Sequence, residues 1–121
     1  MERNIIVDKS YKFTLGIIQL VNSLPKNRTC DVIGKQLLRS GTSIGANVEE
    51  AQSGYSWNDF ANKMSIAQKE ARESNYWLRL LKDSMQAKEE VVLDILKESE
   101  ELSKMLYAIV KTSKQKWFLY Y

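Results

Sequence analysis

The apolar positions of this chain recur in steps of three and four residues, the period of a helix that buries one face. Phe13, Ile17, Leu20 and Leu24 keep that spacing and predict a first helix from about Asp8 to Leu24. Pro25 closes it, because proline has no N–H to donate and its ring clashes with the preceding turn. A second stripe follows a short connection: Cys30, Ile33, Leu37, Gly41, Ile44, Val48 and Ala51, with Thr29 as the expected N-cap. A strand cannot produce that spacing. The third helix has the clearest start, since Ser56 and Asp59 stand at capping-box spacing and Tyr55 precedes them as a hydrophobic staple for Phe60. Its stripe is Phe60, Met64, Ala67, Ala71, Ser74, Leu78 and Leu81. A fourth helix from near Lys88 carries Val92, Ile95, Ser99, Leu102, Leu106 and Ile109. Four helices joined by short connections predict an all-α fold, an antiparallel up-down-up-down four-helix bundle occupying residues 1–121 as one domain.

Two of these stripes are unusually thin. Ser40, Gly41, Thr42, Ser43, Gly45 and Ala46 are all small, and each interior glycine costs a helix about 0.8–1 kcal/mol relative to alanine. Close approach by another helix is the expected compensation. The third helix is equally slight at Ala67, Ala71 and Ser74, so the second and third helices are expected to be near neighbours there. In the fourth helix Glu89, Glu90, Asp94, Glu98, Glu100 and Glu101 precede Lys104, Lys111, Lys114 and Lys116, the order that complements a helix dipole.

Composition narrows the function more than the fold. The hydrophobic fraction of 44% and charged fraction of 27% belong to an ordinary globular domain. The single cysteine, Cys30, cannot form an intramolecular disulfide. No N-terminal stretch reads as a signal peptide, and no apolar run approaches the roughly 20 residues that span a bilayer. A cytoplasmic location is expected. The chain contains no histidine, which removes Ser-His-Asp and Cys-His catalysis, His-ligated zinc and the Glu-x-x-His di-iron motif. Any reaction would fall to a lysine or cysteine of shifted pKa, and no such constellation is visible, so neither enzymatic activity nor a cofactor is expected. The net charge of +3 is compatible with nucleic acid without being diagnostic of it.

Four groups of residues are candidates for chemistry, each with a plainer reading. Arg39, Glu49, Glu50, Glu70, Arg72 and Glu73 could assemble a carboxylate site; as surface charges, they would include an Arg39–glutamate pair that sets helix register. Gly41-Thr42-Ser43-Ile44-Gly45-Ala46-Asn47 suggests a phosphate loop but lacks the Gly-Lys-Ser/Thr and the preceding strand, which leaves helix packing through Gly41 and Gly45. Cys30 lies on an apolar stripe and reads as a small hydrophobe. The segment from Lys111 to Tyr121 interleaves Lys111, Lys114 and Lys116 with Trp117, Phe118, Tyr120 and Tyr121. Those residues suit phosphate contact and base stacking, or equally the covering of the bundle end or of a second subunit.

Topology adds one expectation. In an up-down-up-down bundle the start of the first helix and the end of the fourth share a pole, which gathers Arg3, Lys9 and Lys12 with Lys111, Lys114 and Lys116. Trp57, Tyr76, Trp77 and Trp117 exceed what a monomer of this size needs, and several are expected at subunit interfaces.

The run Gln36-Leu37-Leu38-Arg39-Ser40-Gly41-Thr42-Ser43-Ile44-Gly45-Ala46-Asn47-Val48-Glu49-Glu50-Ala51, followed by Lys69-Glu70-Ala71-Arg72-Glu73-Ser74 and Tyr76-Trp77-Leu78-Arg79-Leu80-Leu81, resembles the signature of the four-helix bundle proteins encoded by intervening sequences in bacterial 23S rRNA genes. The likeness extends from about Tyr11 to Lys114. It implies a left-turning up-and-down bundle, a ring-shaped homo-oligomer that is usually a pentamer, and no established enzymatic activity. A related group, the accessory proteins of diversity-generating retroelements, shares the pentameric bundle and associates with a reverse transcriptase and nucleic acid; this chain is less basic. The resemblance therefore leaves two roles open, an accessory factor for RNA or DNA and a structural or protein-interaction module.

Overall fold

The computed structural model describes the backbone of residues 3–120 and the side chains of residues 5–116. Four helices follow one another: α1 (Arg3–Ser23), α2 (Arg28–Ala51), α3 (Trp57–Asp83) and α4 (Glu89–Tyr120). Each packs on the next, α4 returns to α1, and α1 and α3 face each other diagonally without close contact. This is the antiparallel four-helix bundle that the hydrophobic period predicts. Its core runs the length of the bundle through Phe13, Ile17, Leu37, Ile44, Met64, Leu78, Leu102 and Leu106.

The helix boundaries differ from the expectations in physically informative ways. Helix α1 begins at Arg3, because Ile6 is buried in phase with Ser10, Phe13 and Ile17 and extends the stripe by another turn. Helix α2 is capped by Asn27, whose side chain accepts a 2.8 Å bond from the Cys30 backbone N–H; Thr29 lies inside the first turn. Ser56 does cap α3, accepting from the Asp59 N–H. Tyr55 is not a staple, being 97% exposed, and Trp57 meets Phe60 edge-to-face in its place, with ring centroids 6.0 Å apart. Helix α3 ends in a Schellman motif: Met85 donates to the Lys82 carbonyl and Gln86 to the Leu81 carbonyl. Met85, at φ 58°, occupies the left-handed position where glycine is usual.

The small residues of α2 serve two partners. Toward α3, the buried Ser40 and Ser74 hydroxyls pair at 2.7 Å, which sets these helices close together as expected. The glycines face α1 instead. A β-carbon at Gly34 would stand 3.2 Å from Val21, one at Gly41 3.2 Å from Ile17, and one at Gly45 3.4 Å from the Thr14 hydroxyl. Thr14 donates across this seam to the Gly41 carbonyl at 3.1 Å, and also to the Ser10 carbonyl of its own helix at 2.8 Å. Backbone contact thus replaces side-chain packing along the α1–α2 line.

Candidate functional site

Two places on the bundle concentrate charged and aromatic groups. The first lies midway along α2 and α3. Arg39 reaches across to Glu70 at 2.8 Å and also bonds Glu73, while the Trp77 indole N–H donates to Glu73 at 3.0 Å. Glu70 is buried; Arg39 keeps about half of its side chain in solvent. The Trp77 hydrogen bond, and after it the Arg39 guanidinium, hold the Glu73 carboxyl below the usual carboxylate range. Arg39 is raised in turn, chiefly by its hydrogen bond to Glu73. No buried side-chain polar atom among the described residues lacks a partner, and the arrangement matches a register-setting pair between two helices. Glu49 and Glu50 lie about 15 Å further along α2, from a rise of 1.5 Å per residue, and are not part of the cluster. Glu50 pairs with Lys63 at 3.3 Å, and Glu49 and Arg72 are exposed. Among the described residues no group of three or more cysteine, aspartate and glutamate side chains could hold a metal.

The second place is the pole where α1 starts, α2 ends, α3 starts and α4 ends. Here Trp57 separates two hollows. One, of about 470 Å³, is walled by Ile5, Phe60, Met105 and Ile109, with Thr112 and Lys116 at its edge. The other, of about 510 Å³, lies on the loop side between Ala51, Gly54, Tyr55 and Phe60. The Lys116 ammonium sits 4.5 Å from the centre of the Trp57 ring, a cation–π contact that fixes a positive charge beside the aromatic. Lys111 and Lys114 are exposed on the same last turns of α4. Within 4 Å of these three lysines there is no carboxylate among the described residues.

The six cations expected at this pole do not form one patch. Lys9 pairs with Glu101 at 3.5 Å, and Lys12 borders the same crevice as Glu98 and Glu101, about 15 Å down α4 from Lys111. The side chain of Arg3 and residues Trp117 to Tyr121 lie outside the described side chains. What the structure brings together is Lys116 and Trp57, next to Tyr55 on the α2–α3 connection; Lys111 and Lys114 are exposed on other sides of the same helix. Tyr55 was expected as a staple and Trp57 at a subunit interface; the signal for their place here is that two aromatics stand close together in a polar connection.

By its architecture the chain is an all-α, up-and-down four-helix bundle protein with an ion-pair cluster between α2 and α3 and an aromatic pole where α3 starts and α4 ends. The particular family follows from comparison. Residues 2–108 match the family described as 23S rRNA-intervening sequence protein, and the chain belongs to it. A crystal structure of a protein of unknown function from the S23 ribosomal protein family of Bacteroides thetaiotaomicron VPI-5482 is 43% identical; the alignment covers 92% of this chain and 99% of that one, at a TM-score of 0.84. No curated protein matches the chain.

Proposed function

We propose that this protein is a non-enzymatic, self-assembling helical bundle of the cytoplasm that binds RNA or DNA as an accessory factor. The observation that supports the nucleic-acid reading is Lys116, 4.5 Å from the Trp57 ring, with Lys111 and Lys114 exposed on the same last turns of α4 and free of ion pairs among the described residues. Phosphates attract such a cluster, and each phosphate it neutralises releases condensed counterions. Replacing all three lysines with glutamine should weaken binding to every sequence. The salt dependence should flatten by about one unit of slope for each phosphate no longer held. Binding that keeps its salt slope in the triple variant would exclude this surface.

Self-assembly draws support from apolar side chains that face outward. Tyr11, Leu15 and Ile18 form an exposed stripe on α1, and Ile66 and Tyr76 are exposed on α3. These helices are diagonal, so the two faces cannot meet within one chain. Contact between unlike faces of successive copies closes into a ring when the rotation permits, and a ring of five is what the family resemblance implies. The same outward aromatics favour the second reading, a protein-interaction module without nucleic acid. A wild-type protein that binds neither RNA nor DNA at low salt would select it.

A further inference from the structure

We propose that the hollow of about 470 Å³ between α1, α3 and α4 binds a fatty acid, its chain on the apolar walls and its carboxylate at Lys116. The hollow lies where further turns of α1 would pack. Lys9 pairs with Glu101; moving from that pair toward the pole, α1 comes to its first residue, Arg3, where α4 has come only to Tyr107. Helix α3 reaches further, because its first residue, Trp57, stands against Lys116. At 1.5 Å per residue, α1 therefore starts about 14 Å short of Lys116, and along that stretch α3 and α4 lack the neighbour they have deeper in the bundle. Ile5 and Ile6 form the floor, Phe60 one side, and Met105 and Ile109 the other. The volume is that of a small-molecule site.

Charge complementarity identifies the occupant. Lys116 is the one charged side chain among the described residues that line the hollow, and none of their carboxylates lies within 4 Å of it. Its contact with the Trp57 ring holds it at the pole end of the hollow without neutralising it. Thr112 also lines the hollow, one turn before Lys116 on the same face of α4, so its hydroxyl and the ammonium can donate to one head group. A single ammonium balances a single negative charge, which suits a carboxylate better than a phosphate dianion. The apolar walls then gain from each methylene they take out of water. A nucleotide, polar along its whole length, would leave those walls unused.

The test is isothermal titration of the intact protein with octanoate, decanoate and 1-octanol, each below its micelle-forming concentration. Decanoate should bind more tightly than octanoate, by up to about fourfold for each added methylene. Lys116→Met, which keeps an apolar stem at an exposed position, should weaken both carboxylates roughly three- to tenfold and leave 1-octanol unchanged. Methyl NMR spectra locate the chain: decanoate should shift the signals of Ile5, Met105 and Ile109, and those of Leu37 and Leu78 in the distant core should stay in place. Wild-type protein that binds neither carboxylate overturns the proposal. So does equal affinity for the two chain lengths, or a Lys116→Met variant that holds decanoate as tightly as wild type. Methyl shifts confined to another face of the bundle would overturn it as well.

Discussion

At the scale of single residues, two backbone positions differ sharply in what they tolerate. Gly16 and Gly41 both sit inside helices, and alanine at either would gain helix propensity of about 0.8–1 kcal/mol. A β-carbon at Gly16 would meet only the far end of the Glu98 side chain, at 4.0 Å, so Gly16→Ala should raise the unfolding free energy by nearly that whole amount, measured by urea titration. At Gly41 the neighbour is the branched, buried Ile17, within 3.5 Å through three of its carbons, and it cannot swing aside. Gly41→Leu should therefore destabilise by roughly 1–3 kcal/mol or more; a variant as stable as wild type would refute the close-packing account. Met85 offers the complementary case. Left-handed backbone costs an L side chain about 1–2 kcal/mol and glycine almost nothing, and the Met85 side chain is 86% exposed. Met85→Gly should stabilise the bundle by about 0.5–1 kcal/mol, readable as a higher melting temperature.

Between elements, the Arg39 pair ties α2 to α3. Removing the guanidinium while keeping an apolar stem, as in Arg39→Met, leaves the buried Glu70 without its partner. Complete burial of such an orphan costs about 3–5 kcal/mol; the half-exposed Arg39 scales this to roughly 1–2 kcal/mol. The pH dependence follows from Glu73, whose carboxyl is lowered in the fold. A depressed carboxylate contributes stability that is present above its unfolded pKa, near 4.5, and lost as the pH falls through the lower folded value. Acid unfolding of Glu73→Gln should thus show a shallower loss of stability below about pH 4.5 than the wild type, measured by urea titration at successive pH values.

For the whole molecule, the decisive quantity is mass in solution. The chain weighs 14.0 kDa, and the proposed ring requires a multiple of it that persists on dilution. Leu15 is 46% exposed at the centre of the α1 stripe, so Leu15→Glu should reduce the assembly to 14.0 kDa without unfolding it. Light scattering that finds wild-type monomer at high concentration would end the ring proposal.

Helix content and order, and the cap of α3, were legible in the chain itself, because they depend on neighbours within four residues; the α2 cap, expected at Thr29, fell to Asn27. The period of Phe13, Ile17 and Leu20 defines a face wherever that face is later buried, and Ser56 caps α3 through a bond three residues away. The Arg39–glutamate pair spans more than thirty positions, and became legible only because the thin stripes of α2 and α3 marked those helices as neighbours. The partner of the glycines was not. Gly34, Gly41 and Gly45 announce a close approach, yet nothing local distinguishes α1 from α3 as the helix that makes it; only packing all four helices at once turns that face toward Ile17 and Thr14. The basic pole depended on the tertiary structure in the same way. Sequence assigned Lys9 and Lys12 to the pole of Lys111, but they lie further down the bundle, where Lys9 pairs with Glu101 and Lys12 borders the same crevice. Trp57 came to meet Lys116 because the start of α3 and the end of α4 share a pole, a proximity between residues some sixty positions apart that no local pattern encodes.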